Sequence, residues 1–124
     1  MPAFQTLTLP PALYQGDSYL VWNAESGLAG TKSERVAFGV NPGAAGQACS
    51  IEITFGGAPG VFEIDFETAD TDVAGDYVQK TIINGVNANN AVRVEIDPFV
   101  ANFGRLNMVA LANAVSCTAK ITAK

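Results

Sequence analysis

Apolar and polar residues alternate along most of the chain with a period of two. In "ACSIEITF", Cys49, Ile51, Ile53 and Phe55 fall on one face and Ser50, Glu52 and Thr54 on the other. "VFEIDFE" sets Phe62, Ile64 and Phe66 against Glu63, Asp65 and Glu67, and "AVRVEI" sets Val92, Val94 and Ile96 against Arg93 and Glu95. "VSCTAKIT" is the last run of this kind. Each predicts a strand with one buried and one solvated face.

Less regular runs, "TLTL", "YLVW", "RVAFGV", "YVQKTII" and "RLNMVAL", fit strands at sheet edges or covered on both faces. "NPGAAGQ" and "GGAPG" break the pattern with Gly and Pro. "NGVNANN" opens on Asn84-Gly85, a pair that suits turn backbone angles. Helical spacing is confined to "DPFVANF", where Asp97 can cap, Pro98 suits the first helical position and Gly104 can end the turn. The expected architecture is all-β: a single-domain antiparallel β-sandwich over 1–124, jelly-roll-like, with eight or nine short strands. Residues 1–12, with Pro10-Pro11, read as an N-terminal arm.

Composition narrows the function. The chain has 124 residues, 48% of them hydrophobic and 15% charged, which places it among folded single domains. Its net charge of −5, with scattered lysines and arginines, is the wrong sign for tracking phosphates, so nucleic acid is not an expected partner. No apolar run is long enough to span a bilayer, and the start lacks the pattern of a signal peptide. The expectation is a soluble protein made in the cytosol, without membrane association.

The sequence contains no histidine. That removes the commonest general base, the usual catalytic triads and most catalytic zinc sites. "GDSYL" therefore lacks the proton acceptor an esterase serine needs, and Cys49 and Cys117 lack an activating partner. Both cysteines read as small buried thiols, with a bridge left open because pairing requires facing strands. The expectation is a non-enzyme with no catalytic residues, no cofactor and no metal.

The acid-rich stretch "FETADTDVAGDY" is the sharpest candidate for a site. Asp70, Asp72 and Gly75 fit the first, third and sixth places of a calcium loop, but Ala74 takes a ligand place and Thr81 stands where the closing glutamate belongs. A looser calcium site from Asp70, Asp72 and Asp76 competes with a plain corner, since aspartates favour turns by bonding nearby amides. Glu63, Asp65 and Glu67 are expected on a wet face. Trp22, Tyr14, Tyr19 and Tyr77 are weighed as a sugar-stacking platform against ordinary packing. The polar connection "NAESGLAGTKSER" is a candidate contact loop, or simply a mobile one.

"FEIDFETADTDVAGDYVQ" and "VNANNAVRVEIDPFVANFGRLNMVALANAVSCTAKI" resemble small structural proteins of tailed bacteriophages over residues 61–122. The resemblance lies in the "TADTD" corner after a strand and the "FVANFGRL" turn before a C-terminal hairpin. It implies a jelly-roll virion protein, a capsid decoration or cement protein bound to the major capsid protein or other virion subunits, with a tail or neck component as the alternative. The C-terminal part is also similar to sugar-binding jelly rolls of the discoidin type, with Gly104 separating Phe103 from Arg105. That comparison keeps a carbohydrate- or calcium-binding module as the alternative of another class. Binding through surfaces, by homo-oligomer or shell contact, makes the arm residues Phe4, Leu7, Leu9, Pro10 and Pro11 the expected interface.

Overall fold

Nine strands form in the computed structural model, which describes residues 10–39, 47–86 and 91–124. They are β1 (Ala12–Leu13), β2 (Ser18–Glu25), β3 (Val36–Phe38), β4 (Gln47–Phe55), β5 (Val61–Ala69), β6 (Val78–Val86), β7 (Ala91–Phe99), β8 (Phe103–Leu111) and β9 (Cys117–Ala123). One sheet runs β1-β3-β8-β5-β6 and the other β2-β9-β4-β7.

Antiparallel pairs β2–β9, β3–β8, β4–β7 and β5–β6 are nested like one long hairpin with its tip between β5 and β6. That ribbon is rolled so that β4 also pairs β9 and β5 also pairs β8. The result is a β-sandwich with the strand order of a jelly roll. One pairing departs from the antiparallel expectation: β1 lies parallel to β3, with Ala12 opposite Ala37. Pro11 accepts a hydrogen bond from the Ala37 amide at 2.8 Å, so the end of the expected arm belongs to the sheet edge. Phe4, Leu7, Leu9 and the "TLTL" run lie outside the described residues.

The alternating apolar sets face each other between the sheets. Ile51, Ile53, Ile64, Phe66, Leu106, Met108 and Ile121 are fully buried. The Phe99 ring meets Phe38 and Phe66 edge-on, at centroid distances of 5.2 and 5.6 Å. Gly104 has no side chain where these rings close in. A Cβ there would lie 2.8 Å from Phe38 and 2.9 Å from Phe66.

Two local expectations fail for reasons of tertiary pairing. The residues expected to form a helical turn, Asp97-Pro98-Phe99, complete β7 instead. Between the pairs Cys49–Ile96 and Gln47–Phe99 the register shifts, and Pro98 falls in that bulge on an edge strand, where its missing N–H is tolerated. Asn84-Gly85 is not a turn either. It pairs with Glu63 and Phe62 inside β6, and Gly85 leaves room for the Phe62 ring, which a Cβ would approach to 3.0 Å.

The connection after β2 is not a loose loop. Leu28 is fully buried, the Gly30 amide donates to Met108, and Ser33 exchanges bonds with Leu106 through its amide and its Oγ. This segment extends the sheet beside β8 and brings Lys32 and Arg35 onto the outer surface.

Candidate functional site

The polar residues of the five-stranded sheet form one continuous chain of contacts on its outer face. β5 and β8 pair Glu67 with Arg105 and Asp65 with Asn107. Arg105 Nε donates to Glu67 Oε1 at 2.7 Å, and Asn107 Nδ2 donates to Glu67 Oε2 at 3.1 Å. Lys32 Nζ reaches Asn107 Oδ1 at 3.5 Å. On the other side, the Arg105 guanidinium stacks 4.2 Å from the Tyr77 ring centre. The Tyr77 hydroxyl donates to Asp72 Oδ1 at 2.7 Å, and Arg35 Nη1 holds Asp72 Oδ2 at 2.6 Å.

Within these contacts the two carboxylates, Glu67 and Asp72, are neutralised and the two guanidiniums are committed. Burial, then the Asp72 carboxylate, pushes the Tyr77 hydroxyl well above the usual phenol range. It is held as a donor. The arrangement works as a clasp that fixes the acid-rich corner and the segment before β3 against β8.

Asp65 stands beside the clasp. Glu63, Asp65 and Glu67 do not lie on a wet face as their spacing suggests: Asp65 and Glu67 are each 9% exposed. Among the described residues Asp65 Oδ1 has no hydrogen-bond partner. Burial, a hydrogen bond with Glu63 and the negative charges of Glu63 and Glu67 push the Asp65 carboxyl up to about 6. Glu63 and Asp65 lie two positions apart on one side of a single strand. They do not oppose one another across a cleft, the arrangement that glycoside cleavage requires.

The calcium candidates separate. Asp72 is taken by Arg35 and Tyr77, while Asp70 and Asp76 border a shallow depression of about 160 Å³ with Val78 and Val100. Among the described residues no three metal-ligating side chains converge. The aromatics separate too. Trp22 is buried in the core at 1% exposure, Tyr77 lies under Arg105, Tyr19 packs partly against the core, and Tyr14 is exposed. They form no common platform.

Cys49 and Cys117 are free and fully buried. Cys49 pairs with Ala123 and Cys117 with Phe55, at opposite ends of the β4–β9 ladder. That separation of about 20 Å rules out a bridge in the folded state. Burial pushes both thiols up to about 12, helped at Cys49 by the Glu95 charge.

The outer face of the four-stranded sheet is different in kind. Arg93 bridges Glu52 at 3.5 Å and Glu95 at 3.3 Å, Lys124 meets Glu95 at 3.5 Å, and Ser18 and Thr122 share a hydrogen bond at 2.9 Å. It is a balanced polar ladder. Exposed apolar side chains are spread more widely: Leu20 on β2, Val61, Ile82 and Val109 on the five-stranded sheet, Val73 and Val78 on the acid-rich corner, and Val100 on the neighbouring β7–β8 turn, the last 87% exposed.

Sequence reasoning found the acid-rich corner but missed Lys32, Arg35, Arg105 and Asn107. Their partners lie tens of positions away: the β5–β8 register sets Arg105 and Asn107 beside Glu67, and the segment before β3 carries Lys32 to Asn107 and Arg35 to Asp72. No helix among the described residues is long and apolar enough to cross a membrane. The fold and its surfaces define a jelly-roll β-sandwich protein. The chain matches no protein-family profile, no curated protein and no solved structure.

Proposed function

We propose that this protein is a non-enzymatic structural component of a virion that decorates and reinforces the capsid shell by binding across its subunits. The observation that carries the reading is the exposed pair Val78 and Val100, which line one depression at an end of the sandwich. Val78 and Val100 stand in solvent beside a corner that the Arg35–Asp72–Tyr77 contacts tie to the segment before β3. An apolar tip flanked by Asp70 and Asp76 suits docking against a larger protein surface.

The sequence resemblance to phage structural proteins supports the major capsid protein as that surface. The test is the number of copies of this chain per capsid subunit in purified particles. A ratio near that of the shell subunit supports decoration, and a few copies per particle point to the tail or neck. Absence from particles overturns the reading. Val100→Glu is expected to weaken shell binding while leaving the melting temperature of the free protein unchanged.

A further inference from the structure

The four sheet edges are not equally protected. β7 carries Pro98 and a bulge, β2 has two register shifts and a positive φ at Ala24, and β1 is two residues long. Such features discourage pairing with another chain. β6 is nine residues long and, among the described residues, hydrogen-bonded only to β5. Its one irregularity is at Lys80, between the pairs Phe66–Thr81 and Glu67–Gln79. From Thr81 onward the ladder with β5 is regular, and Ile82 is 47% exposed on the outer face.

We propose that β6 is a dimerisation edge, pairing antiparallel with β6 of a second copy about a two-fold axis. A strand paired antiparallel with itself is self-complementary, as a closed two-fold interface requires. Centring the axis on Ile83 leaves the Lys80 bulge outside the new ladder. Ile82 then lies opposite the second copy's Asn84, and Thr81 opposite its Gly85.

Charge favours the same occupant. Among the described residues Glu63 and Asp65 have no ion-paired cation, and Lys80 has no ion-paired acid. Glu63 neighbours Asn84 across the β5–β6 ladder. In the dimer, Lys80 comes diagonally past the second copy's Asn84, within reach of its Glu63, twice by symmetry. A long cationic side chain thereby meets an unneutralised acid on each side of the axis. This association is independent of shell binding, since it requires only two copies of the chain.

The test is sedimentation of the full chain over a range of concentrations, with hydrogen exchange read at Thr81–Gly85. The expected result is a dimer whose β6 amides lose protection on dilution. Lys80→Glu, at an exposed position, is expected to weaken the dimer severalfold, and Lys80→Glu with Glu63→Lys to restore it. A monomer at every concentration overturns the proposal. So does a dimer whose β6 amides exchange alike at all concentrations, because another surface or the chain's own residues would then be responsible.

Discussion

Arg35 and Asp72 meet at 2.6 Å although 37 residues separate them in sequence, and both side chains are largely buried. The pair ties the segment before β3 to the corner between β5 and β6, with Tyr77 completing the carboxylate's bonds. Asp72→Asn removes the charge but keeps the shape. It is expected to lower stability by about 2 kcal/mol, the scale of a hydrogen-bonded charged group, measured by urea unfolding. Because Asp72 is occupied, added calcium or chelator is expected to leave the melting temperature unchanged. A calcium-dependent rise would show that the corner rearranges into a binding site.

Asp65 makes stability depend on pH in a known direction. Its folded carboxyl is raised from 3.8 to about 6, so between those values the folded state holds a proton that the unfolded chain has released. Stability attributable to this group is therefore highest below the unfolded value. It falls as pH rises through the window between the two values, and is constant above it. Asp65→Asn is expected to be more stable than the parent at about pH 8, on the order of 2 kcal/mol, with the gain vanishing near pH 3. A gain independent of pH would mean that shape rather than charge is responsible.

Gly104 is required by space. The rings of Phe38 and Phe66 close over it, and an added methyl would overlap both. Gly104→Ala is expected to cost about 1–3 kcal/mol, because the rings must leave their packed positions. Gly75, where a Cβ meets nothing within 4 Å among the described residues, is the matched control, and Gly75→Ala is expected to unfold at nearly the parent's denaturant midpoint.

The two thiols are expected to resist modification in the native protein. Both are buried, and burial holds them protonated up to about 12. A thiol reagent at neutral pH is expected to label them only as fast as the protein opens, and reductant is expected to leave the melting curve unchanged. Rapid labelling of the folded protein would contradict the burial of these strands.

The sandwich was legible in the chain because alternation has one physical cause in every strand: a side chain either enters the core or leaves it. That is why Ile51, Ile64 and Ile121 could be placed inside without knowing which strand faces which. Asp97-Pro98 and Asn84-Gly85 misled because local preference for a helix start or a turn is weak beside the ladders that absorbed them. A bulge excused the proline, and the glycine lies in close contact with the Phe62 ring.

By itself, then, the sequence determined the fold class, the core faces and the acid-rich corner. Only the tertiary structure decided that the two cysteines stand apart, that Trp22 is core and that Glu67 and Asp72 are neutralised. Alternation records which way a side chain points, whereas partners come from register between strands distant in sequence. Glu67 looked solvated until β8 set Arg105 beside it.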